Sequence, residues 1–277
     1  MILLHSIPFP DLDPVALQLG PFSIRWYGLA YMAGLLLGWL YIRNLLTNQK
    51  LWPSQPPIAP VKTDDLLIWT ALGVIAGGRI GFFLLYEPYT FIYDPLQVLR
   101  IWEGGMAFHG GLLGVISMIY IFSWRNKVSV FTIGDLIAAA VPIGIFFGRI
   151  ANFINAEVYG RITTVPWGVI FPDVGPEPRH PSQLYEAVLE GLVLFLVLRY
   201  LIYYRKALFY PGFLSGMFFI GYACGRIFSE FFRAQDPGHT FTTDFFTAGI
   251  VYSIPMFLVG CYLIWRSGKQ KVTSAVQ

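Results

Sequence analysis

Three copies of Gly-Arg-Ile lie inside long apolar stretches of the chain, at 78–80, 148–150 and 225–227. They put Arg79, Arg149 and Arg226 where hydrocarbon should surround them, and even lenient insertion scales charge about 2.5–3.5 kcal/mol for an arginine at the middle of a membrane helix. Two chemistries fit. Planar, permanently charged guanidinium forks suit an anion such as a phospholipid headgroup phosphate. Alternatively each arginine pairs with a carboxylate and locks helices together. Glu230, four residues after Arg226, and the i, i+4 pair Glu186 and Glu190 would supply the acids. A further reactive side chain is His109, in the run Gly104-Gly105-Met106-Ala107-Phe108-His109-Gly110-Gly111. An imidazole takes and gives a proton near neutral pH, and the flanking glycine pairs imply a tightly turned or closely approached backbone. The plainer alternative is an interfacial histidine that satisfies a carbonyl.

These residues need a membrane scaffold to hold them, and the composition supplies one. Of 277 residues 56% are hydrophobic, 17% aromatic and only 13% charged, roughly half the charged share of a soluble domain. A net charge of +3 with no basic run argues against a nucleic-acid partner. Cys224 and Cys261 have no metal-like spacing and read as small apolar residues, so neither a metal nor a disulfide is expected. The segment 1–14 lacks a basic start and carries Pro8, Pro10 and Pro14, unlike a cleaved signal peptide.

Seven stretches are long enough to span a bilayer, at about 28–47, 65–86, 106–124, 133–154, 184–204, 212–232 and 244–265. Basic residues such as Lys50, Arg125, Arg205 and Lys269 follow the odd-numbered stretches, whereas Asp13, Glu87, Glu103 and Glu177 sit on the opposite side. The positive-inside bias then places the N-terminus outside and the C-terminus in the cytoplasm. The expected fold is an all-α integral membrane protein, 1–277 forming a single polytopic domain of seven transmembrane helices. An extracytoplasmic head over 155–183, rich in proline around the apolar run 167–171, lies between helices four and five. In this topology Arg79, Arg149 and Arg226 lie 14, 16 and 14 residues into inside-to-outside helices, roughly 21–24 Å from the inner end and near one depth. The glycine before each would let helices approach and leave room beside the guanidinium.

The stretch from Gly148 to Gly160, with Arg149, Asn152, Asn155 and Glu157 at fixed spacing, closely resembles the signature of prolipoprotein diacylglyceryl transferases. Arg25-Trp26-Tyr27-Gly28 resembles that family's first segment, and Gly105 to Gly111 its histidine loop. His180-Pro181-Ser182-Gln183-Leu184-Tyr185-Glu186 resembles the start of its fifth segment, and Arg226 with Glu230 its sixth-segment pair. The resemblance covers nearly the whole chain. It implies a bacterial plasma-membrane enzyme that moves the diacylglyceryl group of phosphatidylglycerol to the lipobox cysteine of prolipoprotein signal peptides, with no cofactor and with its active site toward the outer side. In that reading Arg149 and Arg226 hold the leaving phosphate, with Arg79 as a less certain third, and His109 is the general base. Asn152 and Asn155 orient headgroup hydroxyls, Glu157 and Glu230 hold arginines or hydroxyls, Tyr27 lines the pocket, and Gly160 lets the outer loop turn closely over the site. A transporter would also carry intramembrane arginines, but it typically shows half-chain repeats and helices broken at mid-depth. A seven-segment receptor rests on helix count alone, and a non-catalytic lipid scaffold leaves His109 unexplained.

Overall fold

The computed structural model describes residues 6–10, 12–20, 22–172, 174–234 and 247–269. The first residues of the expected seventh segment, 244–246, and residues 1–5 of the N-terminal segment lie outside them. Long helices occupy Trp26–Thr47 (α1), Lys62–Leu85 (α2), Phe108–Asn126 (α3), Val130–Ile154 (α4), Ser182–Arg205 (α5), Phe213–Glu230 (α6) and Ala248–Lys269 (α7). Among the described residues, α1, α2, α4, α5 and α7 are each long and apolar enough to cross a membrane. The shorter α6 holds Arg226 and Glu230, and α3 opens on His109 and closes on Arg125 and Asn126, so polar residues lower the hydropathy of both. The molecule is a mostly helical, multi-pass integral membrane protein.

The helix ends follow local chemistry. Asp64 and Asp65 lie in the first turn of α2, where the helix dipole favours negative charge. α3 and α5 each end on a lysine in the left-handed region, Lys127 at φ 55° and Lys206 at φ 53°. After α3 the Lys127 and Val128 N–H groups return to Trp124 and Ser123 carbonyls, a Schellman arrangement with a cation on the dipole's negative end.

The chain divides into two compact units, 42–134 and the remainder. In the first, Gly73, Gly77 and Gly81 of α2 meet Gly110 and Gly114 of α3 backbone to backbone; a Cβ on Gly81 would lie 2.6 Å from the Gly110 Cα. Such contact replaces hydrophobic driving force with close van der Waals packing.

In the other unit the same device recurs. A Cβ on Gly34 of α1 would lie 2.9 Å from the Gly144 Cα of α4, and Gly216 of α6 and Gly260 of α7 approach each other reciprocally. The buried Asp135 carboxylate caps the start of α6, accepting from Gly212 N and Ser215 N, both at 2.7 Å, and from Ser215 Oγ at 2.8 Å. Its acceptors thereby saturate N–H groups that the helix cannot. Within α5, Ala187–Val193 winds as a π-helix, a form concentrated at functional sites.

Short strands depart from the all-α expectation. Val15–Leu19 and Phe22–Arg25 form an antiparallel hairpin, and Ile7–Pro8 pairs in parallel with Val169–Ile170. In the apolar run 167–171, Val169 and Phe171 lie two residues apart on one strand face and are buried, while Trp167 ahead of the strand is exposed. Phe171 packs among the rings of Phe9, Phe153 and Tyr159. Further bridges join Ile162 to Arg179 and Val169 to Arg179, so the loop between α4 and α5 is a folded head.

Candidate active site

Glu186, at the last α-helical residue before the π stretch of α5, is fully buried between three guanidinium groups. Its Oε2 lies 3.0 Å from Arg149 of α4, and its Oε1 lies 2.6 Å from Arg226 of α6 and 3.1 Å from Arg233 just beyond that helix. Glu190 pairs with Arg149 at 3.4 Å, and Glu230 pairs with Arg226 at 2.9 Å and with Arg233 at 3.7 Å. Three acids thus balance three arginines, which removes the cost of isolated charges in an apolar interior. The cluster is also layered. The Glu186 and Glu190 side chains are 0% exposed, whereas those of Arg149 and Arg226 are 20% and 15% exposed. The carboxylates grip the guanidinia from the buried side through both terminal nitrogens of each fork, and these pairs do not use all five N–H groups of either fork.

The glycines take up the crowding unevenly. A Cβ on Gly249, in the first turn of α7, would collide with Glu230 Oε2 and lie 3.0 Å from Arg226 NH2. One on Gly225 would meet Glu190 Cγ at 3.2 Å, while Gly148 has nothing within 4 Å. The expected room beside every arginine is therefore present at Gly148 and packed at Gly225 and Gly78, where Met106 Cε is 2.7 Å away.

A polar turn adjoins the cluster at the end of α4. Asn152 and Asn155 donate to the two oxygens of Glu157 at 3.4 and 3.5 Å. Ala156 and Val158 both adopt positive φ, 54° and 57°, which for a β-branched valine is strained backbone. The start of α5 holds this turn: Ser182 Oγ donates to the Val158 carbonyl at 3.0 Å, and Gln183 Nε2 donates to the Glu157 carbonyl. Gly160 lies between the His180 and Phe232 carbonyls, each 2.5 Å from where a Cβ would be, so no larger residue fits. The Asn155 Oδ1 and Glu190 Oε1 acceptors are buried without a hydrogen-bond partner among the described residues. Tyr27 accepts from the Tyr31 hydroxyl at 3.3 Å, and Tyr31 feels the Arg149 charge.

The other two sequence candidates belong to the 42–134 unit. His109 is the second residue of α3 and exposed, its ring edge-on to Phe108 at 5.6 Å. Arg79 is 3% exposed and reaches backbone carbonyls. Its Nε donates to Val98, one terminal nitrogen to Gly104 and Gly105, and the other to Gln97 and Arg100. A guanidinium has five N–H groups, and these contacts use all of them. The expectation that Arg79 adds a third fork to a headgroup site meets a side chain with no donor left to give.

Sequence reasoning passed over Arg233, Tyr222, Ser182 and Gln183 as site residues. Arg233 follows Glu230 by three residues, a spacing that signals an ion pair, but it falls beyond the apolar run and so reads as an interfacial charge. Tyr222 lies within electrostatic reach of Glu190, Arg149, Arg226 and Glu186, one turn before Arg226 on α6.

Long apolar helices that close around a charge-balanced polar cluster, with a folded head beside it, define an integral membrane protein with a buried polar site. The chain belongs to the prolipoprotein diacylglyceryl transferase family, whose model matches residues 14–266. It is 51% identical over 271 residues to the phosphatidylglycerol--prolipoprotein diacylglyceryl transferase of Rhizobium leguminosarum bv. trifolii (strain WSM2304), covering 97% of this chain and 96% of that protein. The protein of the same name from Phenylobacterium zucineum (strain HLK1) is 49% identical over 282 residues, 98% of each chain. That from Rhodopseudomonas palustris is 47% identical over 269 residues, 95% of this chain and 94% of its own.

Proposed function

We propose that this chain transfers the diacylglyceryl group of phosphatidylglycerol to the thiol of the lipobox cysteine of bacterial prolipoproteins, the first step of lipoprotein maturation. The observation that carries this reading is identity near one half over almost the full length to enzymes named for that reaction. In the transfer, sulfur forms a bond to the glyceryl carbon as that carbon's bond to the phosphate ester oxygen breaks. Glycerol phosphate leaves, and the thiol proton goes to a base. The leaving phosphate gathers negative charge, and in many enzymes fixed donors aimed at developing charge supply most of the acceleration. Arg149 and Arg226 are suited to act as those donors, because Glu186 fixes both forks in advance and the ion pairs do not use all of their N–H groups. Asn152, Asn155, Glu157 and Tyr27 form the polar wall suited to orient the headgroup's hydroxyls. Glu230 sets Arg226 from the side. His109 serves as the base that takes the thiol proton.

The same reading has seven spans in a bacterial plasma membrane, with the head of residues 155–183 and the polar site on the outer side. Single cysteines at the exposed positions Glu177 and Ser129 test it: an impermeant thiol reagent should label the first from outside and the second only from inside. Reversed labelling sinks the orientation. For the reaction itself, purified protein given phosphatidylglycerol and a lipobox peptide should release one glycerol phosphate per thioether formed, and a peptide with serine for cysteine should yield none. Release without acceptor would mark a phospholipase instead.

A further inference from the structure

The connection from α2 to α3 runs through a short helix, Pro88–Tyr93, and then two short 3-10 turns, Pro95–Leu99 and Ile101–Glu103, which present large apolar side chains outward, among them Leu96, Leu99 and Trp102. An irregular backbone without ladder partners must find donors for its carbonyls elsewhere in the protein. Arg79 does so for five of them, at residues 97, 98, 100, 104 and 105. Its guanidinium also lies over the Phe83 ring at 4.8 Å, and no carboxylate approaches it within ion-pair range among the described residues. The last two anchored carbonyls belong to Gly104 and Gly105, whose φ values of 80° and 78° suit glycine. A Cβ on Gly105 would lie 3.0 Å from Arg79 NH1 and 2.7 Å from the Phe82 ring. Immediately beyond, Ala107 N donates to the carbonyl of Gly78, Arg79's own neighbour, and α3 begins at Phe108. His109 is four residues from the last carbonyl that Arg79 holds.

We propose that Arg79 is a positioning residue for His109, a latch that fixes the Gly104–Gly105 backbone from which the helix bearing the imidazole starts. The role rests on the base function given above for His109. It accounts for why arginine stands here, since lysine offers a compact tetrahedral ammonium with three donors and cannot bridge five carbonyls. It also separates Arg79 from substrate: a base displaced by about 1 Å loses turnover on the order of 10²-fold while headgroup affinity is untouched.

The test compares Arg79→Lys, His109→Gln and the double variant in the full-length protein, using steady-state transfer from phosphatidylglycerol to a lipobox peptide. Amide hydrogen exchange is followed in parallel. Arg79→Lys should speed exchange in 97–109 only, and should lower kcat about 10- to 100-fold with the KM for phosphatidylglycerol little changed. In the His109→Gln background the same substitution should lower kcat no further, because it acts through a group already removed. Gly105→Ala, which crowds the latch from the loop side, should reproduce these effects if Arg79→Lys folds poorly. Unchanged exchange overturns the latch. An equal loss of kcat in both backgrounds overturns the link to His109, and a raised KM with normal kcat makes Arg79 a headgroup contact. Parental turnover in His109→Gln overturns the base role and this one with it, a failure visible apart from the exchange result.

Discussion

Arg149 and Arg79 come from the same tripeptide in helices of the same kind, yet their surroundings differ in every respect that matters to chemistry. Arg149 meets two buried carboxylates and keeps a fifth of its side chain exposed, whereas Arg79 is enclosed by five neutral carbonyls and a phenyl ring. A carboxylate pair orients a fork and leaves N–H groups to bind something else. A carbonyl cage uses the whole fork and stabilises the loop that forms the cage. What an intramembrane arginine does is therefore decided by the acceptors its neighbours bring, and substitutions can tell the two cases apart.

The largest effect is expected where the side chain stays partly exposed. Arg149→Ala or Arg226→Ala should lower transfer by on the order of 10²- to 10³-fold or more, and Arg149→Lys should restore little because lysine has no bidentate fork. Near-normal turnover in a folded Arg149→Ala protein would make the carboxylate-held cluster structural, like the carbonyl-held one. Next is Glu186, which touches Arg149, Arg226 and Arg233. Its replacement by alanine leaves buried guanidinia without their shared acid, which costs about 3–5 kcal/mol and should appear as a large drop in unfolding temperature. A stability close to the parent's would mean that Glu190 and Glu230 suffice to balance the cluster.

Gly249→Ala and Gly148→Ala form a second contrast. The first drives a methyl into the Glu230–Arg226 pair and should lower kcat by about 10- to 100-fold, while the second meets open space and should hold or raise the unfolding temperature. Equal tolerance at both positions would show that the pair relaxes at no cost.

The smallest effect concerns the head. Burial holds the His180 imidazole below its ordinary value, and its Nδ1 is hydrogen-bonded with the Tyr185 hydroxyl at 3.1 Å while Trp167 donates to that same hydroxyl at 2.8 Å. The unfolded head takes up the proton first. Its stability is thus complete above the ordinary imidazole pKa of about 6.5 and declines as pH falls toward the lower folded value. Trp167 fluorescence should report the loosening on acidification, and His180→Gln should remove it; persistence in that variant would place the titration elsewhere.

Long apolar runs made the helices legible in the sequence, because a segment of that composition has one stable arrangement in a bilayer whatever its neighbours do. The same holds for the Gly148–Gly160 signature, the acids at 186, 190 and 230, and the glycine pairs about His109, all local patterns of residue type. Helix ends were less legible: α1 begins at Trp26 and α2 at Lys62, a few residues ahead of the apolar runs, and in α2 the helix dipole favours Asp64 and Asp65 in the first turn.

Which acid meets which arginine was decided by tertiary structure alone. The i, i+4 spacing of Glu186 and Glu190 put both near one helix face, but only the packing of α4, α5 and α6 brings Glu186 to Arg149 and Arg226 at once and adds Arg233 from beyond the apolar run. The cage around Arg79 is equally invisible in the chain, because its acceptors are backbone carbonyls 18 to 26 residues away that every residue type provides. Side-chain type is written in the sequence. The direction in which a carbonyl points is fixed by the dihedral angles of a folded loop, and so Gly-Arg-Ile is one pattern in the chain and two kinds of site in the protein.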